Sequence, residues 1–123
     1  MPWNFDNSIP IYTQIIQEMK RKIIRQEYQP GEKLPSVRDL AREANVNPNT
    51  MQKALSELET SGLIVTERTT GKFVTGDETL IRALREDYLK ERLQPFLLEL
   101  SSLGLKKEEL ISLIEAHYKE ASI

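Results

Sequence analysis

The sequence has no cysteine and only one histidine, His117, among its 123 residues. Disulfides and thiol chemistry are therefore excluded, and a zinc site would need several ligands of other kinds. The acidic residues nearest to His117 are Glu115 and Glu120, and neither forms the i, i+4 pair that places two ligands on one helix face. We expect no metal site and no cofactor.

Long apolar segments are also missing. None approaches the roughly 18 to 20 residues of a membrane-spanning helix. The chain starts with MPWNFDNSIP, which lacks the basic start and the apolar stretch of a secretion signal. We expect a soluble, cytoplasmic protein that does not associate with membranes.

Neither sign of charge is in large excess, because the chain has 17 Lys and Arg and 19 Asp and Glu, which gives a net charge of −2. The whole chain is therefore not the polycation that a nucleic-acid-binding protein is often assumed to be. A local surface still binds phosphate whatever the sum of the charges. The sequence also shows no nucleophile beside a base and no phosphate-binding glycine loop, so we expect no enzyme activity.

What the sequence does contain is helical periodicity. In the first periodic segment, apolar residues recur at helical spacing: Tyr12, Ile15, Ile16, Met19 and Ile23. Ser8 suits an N-cap and Pro10 suits a first turn, so the pattern predicts a helix of about 17 residues.

Two short helices follow, and the sequence indicates where they begin and end. Ser36 and Asp39 have the spacing of a capping box at the start of the first one. Asn45 tolerates the left-handed conformation that ends it, while Asn47 suits the N-cap of the second helix and Pro48 its first position. Helices joined by so short a turn form a helix-turn-helix, in which the second helix enters the major groove of DNA.

The second of these helices begins with amide and hydroxyl side chains. Its core-facing positions follow the i, i+3, i+4, i+7 rule: Met51, Ala54, Leu55 and Leu58. Four polar side chains are left pointing outward: Asn49, Thr50, Gln52 and Lys53. No carboxylate occurs from residue 44 to residue 56, and such a surface suits phosphate and the edges of bases. A solvated polar face is the simpler interpretation of an isolated helix, but the helix-turn-helix context favours DNA.

A β-hairpin is predicted directly after this helix. Residues 63–67 (LIVTE) and 72–75 (KFVT) read as two short strands around RTTG. Arg68 and Lys72 would then flank a tip that contains Thr70 and Gly71. A hairpin in this place is a wing, whose tip contacts sugar-phosphate or reaches the adjacent minor groove.

The tail of the chain predicts two more helices. Asp77 can cap the first, Pro95 is expected to kink or restart it near Arg92, and Gly104 is expected to end it. Two helices cannot close a large core alone, so they need a partner surface. We expect a homodimer formed through these residues: Leu84, Tyr88, Phe96, Leu97, Leu100, Leu110 and Ile114.

The helix-turn-helix and the hairpin occur together in PGEKLPSVRDLAREANVNPNTMQKALSELETSGLIVTERTTGKFV, residues 30–74. This stretch resembles the DNA-binding domain of the GntR family of bacterial transcription regulators. The form LPSVRDLA…VNPNT is most similar to the short, YtrA-like subfamily. The resemblance implies a fold that is mainly α with a small β-hairpin wing. It implies a winged helix-turn-helix domain at residues 1–76 and a helical dimerisation region at residues 77–123.

The resemblance also assigns roles to residues of this sequence. The arginine at the place of Arg38 contacts phosphate or guanine from the start of the second helix. The positions at the groove match Asn47, Asn49, Thr50 and Lys53. Gly71 matches the glycine of the wing tip, and Arg68 matches the basic position of the first wing strand. Gln52, Thr70 and Lys72 complete the DNA-binding set predicted here.

Three positions depart from the family pattern. Pro48 stands where many relatives outside the subfamily have arginine or serine, so a groove-reading side chain is absent there. Thr69 replaces a wing glycine and Lys72 replaces a threonine. The family's exact contact between wing and minor groove is therefore not carried over to this sequence.

We expect a sequence-specific transcriptional regulator, a repressor that binds a roughly palindromic operator in double-stranded DNA as a homodimer. The alternative is a winged-helix module that binds another protein through its third helix, which would require large apolar side chains on the exposed face of that helix. The tail is too short for the metabolite-binding domain of the larger subfamilies. An effector is therefore not indicated, and a small site between subunits is the open alternative.

Overall fold

The computed structural model describes residues 3–121, which form five helices and one two-stranded antiparallel sheet. In chain order, the elements are α1 (Ile11–Ile24), α2 (Val37–Ala44), α3 (Pro48–Thr60), β1 (Ile64–Glu67), β2 (Gly71–Val74), α4 (Glu78–Ser102) and α5 (Lys107–Ala121). This architecture confirms the predicted fold class, which is mainly α with a small hairpin wing.

The chain divides into two compact units between Arg85 and Glu86. The first unit has an apolar core to which α1, α2, α3 and the hairpin all contribute. The largest fully buried side chains of this core are Ile15, Met19, Ile23, Leu40, Met51, Leu55, Leu58, Ile64 and Val74. Ile81 and Leu84 also pack against it, so the first turns of α4 belong to this unit. The unit therefore extends beyond the domain boundary expected after residue 76.

The helix-turn-helix is formed by α2 and α3, and the predicted caps are present. The hydroxyl oxygen of Ser36 accepts a hydrogen bond from the backbone N–H of Asp39 at 3.1 Å. Asn45 has φ 57°, in the left-handed region, and ends α2. The side-chain oxygen of Asn47 accepts a hydrogen bond from the N–H of Asn49 at 2.7 Å, and Pro48 is the first residue of α3. Local side-chain chemistry therefore fixes where both helices begin.

The predicted start of α1 was wrong. Ser8 does not cap the helix, because its backbone N–H and its hydroxyl both donate to the carboxylate of Asp6, at 2.9 and 2.7 Å. The helix begins at Ile11, after Pro10, and has 14 residues where about 17 were expected.

Pro95 does not restart α4, which continues as one helix of 25 residues from Glu78 to Ser102. Proline removes one backbone N–H, which leaves the carbonyl of Glu91 without its helical donor. Residue 91 is exposed, so water can satisfy that carbonyl. Gly104, at φ 87°, ends the helix as predicted, and the N–H of Leu105 closes the turn on the carbonyl of Leu100 at 3.2 Å.

The hairpin is tied to the segment that precedes α2. β1 and β2 pair in antiparallel register from Ile64 opposite Val74 to Glu67 opposite Gly71. On the other side of β2, Leu34 donates its N–H to the carbonyl of Lys72 at 2.8 Å, as part of a short bridge to the strand. The wing and the start of α2 are therefore connected through the backbone.

Candidate nucleic-acid interface

The outer face of α3 is polar, as the sequence predicted. Its inward positions are fully buried: Met51, Ala54, Leu55 and Leu58. Asn49, Gln52 and Lys53 are exposed, and Thr50 is half-buried. This face carries no large apolar side chain. A protein-binding helix would need such side chains on its exposed face. It offers hydrogen-bond donors and acceptors, which suit the base edges of a major groove.

The N-terminal end of α3 carries the partial positive charge of the helix dipole. The first turn contains no acidic residue, so nothing compensates the positive end of the helix dipole. Asn47 uses its side-chain oxygen to cap the helix, which leaves its NH₂ group as the part of the side chain that can reach a ligand. Pro48 has no N–H and the N–H of Asn49 is bonded to Asn47, so the positive end of the dipole is the main feature of this helix start that suits a phosphate group.

Two of the outward side chains of α3 are held by neighbours. The ammonium group of Lys53 lies 3.9 Å from the ring centroid of Tyr12, a residue of α1. The amide of Gln52 donates to the hydroxyl of Ser56 at 3.0 Å. The Tyr12 contact was missed by sequence reasoning, because the spacing of Tyr12 indicated only a core position. It pre-orders Lys53 at the surface where DNA is expected.

A groove of about 670 Å³ lies between the start of α2 and the wing. It is lined on one side by residues 33–37 and Asp39, and on the other by residues 66–72. Arg38 is exposed on the same first turn of α2, between two lining residues. The fold therefore brings the predicted contacts of α2 and of the wing into one neighbourhood, although they are about thirty residues apart in the chain.

The tip of the wing consists of Arg68, Thr69 and Thr70, all of them exposed. Gly71 lies at the base of this tip, in the pair that closes the hairpin, and is half-buried. It has φ 118°, and an added Cβ would lie 3.2 Å from the Cε atom of Lys33. The need for glycine here therefore has an internal cause, a left-handed backbone and a close neighbour.

Lys72 is oriented differently from the prediction. Its ammonium group pairs with the carboxylate of Glu59, near the end of α3, and donates to the hydroxyl of Thr66 at 3.1 Å. The Lys72 side chain is 15% exposed, so it is directed into the protein and away from the tip. The hydrogen bond from Lys72 lowers the pKa of Glu59 below its ordinary value. Sequence spacing gave no signal for this pair.

The expected dimerisation residues lie in three different surroundings. Leu84 packs against the core of its own unit, so its predicted place in a dimer interface is not supported by the geometry. Tyr88 is half-buried under the guanidinium of Arg92, whose carbon lies 3.4 Å from the ring centroid. The others lie at or near the surface of the described chain, where Phe96, Leu97 and Ile114 are exposed and Leu100 and Leu110 are half-buried.

One face of α4 carries a regular apolar stripe. Leu89, Leu93, Phe96, Leu100 and Leu103 follow one another at alternating spacings of four and three residues, which we call the α4 stripe. This is the 3.5-residue repeat of helices that pack against another helix along a seam. From Glu86 to Ala121 no residue is buried, so within the described chain this stripe has no such partner.

Within residues 3–121 there is neither a cluster of metal-ligating side chains nor a membrane-spanning helix. No group of three or more His, Asp or Glu side chains there is arranged to hold a metal ion. Nor does that part of the chain contain a helix long and apolar enough to cross a membrane.

Comparison with known proteins gives consistent results. Residues 11–74 match the family model of bacterial regulatory proteins, gntR family. Over 105 residues the chain is 39% identical to the HTH-type transcriptional repressor YtrA of Bacillus subtilis (strain 168), covering 85% of this chain and 81% of YtrA. A GntR family transcriptional regulator from Listeria monocytogenes has a similar solved structure, with a TM-score of 0.85 and 42% identity over 91% of this chain and 98% of that one. The DNA-binding domain of AraR, solved with operator ORE1, is similar with a TM-score of 0.53 and 25% identity, over 61% of this chain and 94% of that one.

Proposed function

Because this chain belongs to the GntR family of DNA-binding transcriptional regulators, we propose that it is a sequence-specific repressor that binds a roughly palindromic operator as a homodimer. The observation that carries the proposal is the outer face of α3, polar and free of acid in its first turn, above a fully buried apolar face. The name of the relative YtrA supports repression, and the complex of the AraR domain with its operator supports DNA as the ligand.

In this proposal α3 enters the major groove. Asn49, Gln52 and Lys53 are exposed there and read base edges, for which amides and amines have suitable hydrogen-bonding groups. Thr50 and the NH₂ group of Asn47 approach the adjacent phosphate backbone of the DNA at the positive helix start. The backbone contacts fix the register of α3 on the DNA, and the base contacts supply most of the sequence discrimination.

The wing and the start of α2 contact the DNA on either side. Arg38 binds phosphate or a guanine edge from the first turn of α2. Arg68 and Thr70 contact the sugar-phosphate of the DNA from the tip. The small Gly71 at the base of the tip lets the protein backbone approach the DNA. Since few cations face the DNA, we expect a moderate dependence of affinity on salt.

The homodimer is proposed from the α4 stripe. A 3.5-residue apolar repeat is the signature of helix pairing, and a second copy of this chain supplies an identical stripe. Residues 76–123 carry 7 Lys and Arg against 10 Asp and Glu, while residues 1–75 carry 10 against 9. The excess of acid therefore falls in the sequence of the proposed dimerisation region and not in that of the DNA-binding domain. Two-fold symmetry then presents two α3 helices to an inverted repeat.

The test is a binding selection with purified full-length protein and a pool of random DNA duplexes at about physiological salt. We expect the retained duplexes to share an inverted repeat, whose half-site spacing gives the geometry of the dimer. Retained duplexes that share no sequence, from a protein shown to be folded and dimeric, would contradict the proposal. A single enriched half-site without a repeat would contradict the homodimer.

A further inference from the structure

We propose that Glu59 and Lys72 form an internal clamp that fixes the wing to the recognition helix α3, so that both are positioning residues for DNA binding. The inference rests on the proposed function, because it concerns how the wing reaches the operator. It also assigns Lys72, a cation next to the wing tip, to the protein itself and not to DNA phosphate.

The clamp joins three elements of the first unit. Glu59 lies in the last turn of α3, and Lys72 is the second residue of β2. Thr66 lies directly opposite Lys72 in the β1–β2 register, and its hydroxyl accepts a hydrogen bond from the Lys72 ammonium group at 3.1 Å. The carboxylate, the ammonium group and the hydroxyl therefore connect the end of the recognition helix to both strands of the wing.

The wing needs such a connection because of its size. Its strands have four residues each, and an isolated hairpin is at best marginally stable in water. The apolar core holds only its base, where Ile64 and Val74 are buried, whereas residues 65–70 are exposed. Lys72 lies between the buried base and the exposed tip. The backbone bridge from Leu34 already holds this part of β2 on its outer side, and the pairing of Lys72 with Glu59 adds a side-chain link to α3.

The charges of the pair make the clamp distinguishable from a phosphate contact. The hydrogen bond from Lys72 lowers the pKa of Glu59 and so favours the carboxylate, and the opposite charges of carboxylate and ammonium group make the pair neutral as a whole. If Lys72 bound phosphate, its removal would reduce the slope of log K against log salt by about 1. Removal of the Glu59 carboxylate would then strengthen DNA binding, since a negative charge near the DNA would be lost. The clamp predicts the opposite sign, because loss of Glu59 releases the wing.

The experiment compares Glu59→Ala, Lys72→Met and the double variant in the full-length chain, with operator duplex obtained from the selection. Glu57→Ala is the matched control, since Glu57 is an exposed carboxylate on the same helix. We expect Glu59→Ala and Lys72→Met each to weaken binding about 3- to 10-fold with little change in salt slope. The double variant should be no weaker than either single variant, because both remove the same interaction. Glu57→Ala should bind as tightly as the wild type or slightly more tightly.

A second measurement needs no DNA. Backbone amide hydrogen exchange in the free protein should be about tenfold faster across β1 and β2 in Glu59→Ala, and unchanged in Glu57→Ala. Unchanged exchange in Glu59→Ala overturns the clamp, even for a chain that binds no operator. Tighter binding by Glu59→Ala, or a salt slope reduced by about 1 in Lys72→Met, also overturns it. Those results leave the proposed function intact, because that proposal is tested by the sequences that the wild type selects.

Discussion

The two units of this chain contain similar apolar residues but use them differently. In the first unit Leu55 is completely buried, within a core built from three helices, a hairpin and the first turns of α4. In the second unit Leu93 is 50% exposed, and no residue from Glu86 to Ala121 is buried. The first unit thus buries most of its large apolar side chains within itself, whereas the second unit leaves the α4 stripe largely exposed.

This difference separates two sources of stability. Burial inside one chain stabilises a fold at any protein concentration, whereas burial between two chains depends on concentration through mass action. We therefore expect the DNA-binding unit to hold its shape alone and the order of the tail to depend on the second copy. The sharpest experiments place the same substitution in both regions, or on both sides of one helix.

The largest effect is expected from a charge in the α4 stripe. Leu93→Asp would bury a carboxylate in the proposed helix seam, so the protein should be monomeric at micromolar concentration by analytical ultracentrifugation. Loss of the second half-site contact should weaken operator binding by on the order of 10² to 10⁴-fold.

The matched control for this change is Leu98→Asp on the same helix. Leu98 is 67% exposed and lies on the opposite side of α4 from Leu89, by the 3.6-residue period. Leu98→Asp should leave both the dimer and the affinity for the operator unchanged. A dimer that survives Leu93→Asp but dissociates with Leu98→Asp would place the interface on the other face of α4.

A core substitution should have the next largest effect, and one that does not depend on concentration. Leu55→Ala removes a fully buried side chain and leaves a cavity, so the free energy of unfolding should fall by about 2–5 kcal/mol. Leu98→Ala, the same change at an exposed position, should cost no more than about 0.5 kcal/mol. Urea denaturation at two protein concentrations measures both. An unfolding midpoint of the first unit that rises with protein concentration would show that this unit is not stable alone.

The elements with local causes could be predicted from the sequence. Asn47 and Pro48 fix the start of α3 through one side-chain acceptor and one restricted φ angle, both of which depend only on neighbours in the chain. The buried face of α3 follows from its period, and Gly104 ends α4 because it adopts a positive φ. For such features a sequence contains the whole physical cause.

Features that depend on more distant or competing groups could not be predicted in this way. Ser8 was a sound cap candidate, but Asp6 binds its hydroxyl. Pro95 was expected to interrupt α4, but an exposed helix can lose one hydrogen bond to water. The pairing of Lys72 with Glu59 arises only when the hairpin folds back on α3. The orientation of a basic side chain is therefore the part of the site that composition and spacing predict least well.

A smaller effect, confined to the first unit, is expected from Asn49→Ala. Asn49 is exposed on α3, so its removal should leave stability and dimerisation unchanged. It should cost about 1–3 kcal/mol of discrimination at one base pair in each half-site. Competition binding against operators altered at single positions measures this loss. An unaltered preference at every position would exclude Asn49 as a residue that reads bases.

The smallest effect is expected from Tyr12→Leu, which removes the ring beneath the ammonium group of Lys53 but keeps an apolar side chain on α1. A cation–π contact at an exposed site contributes about 0.5–1 kcal/mol, and we expect operator binding to weaken by no more than that amount as Lys53 loses its fixed orientation. The same substitution in a Lys53→Met background should have no effect, because the cation is already gone. If Tyr12→Leu weakens binding equally in both backgrounds, Tyr12 acts on the DNA or on the fold by a route that does not involve Lys53.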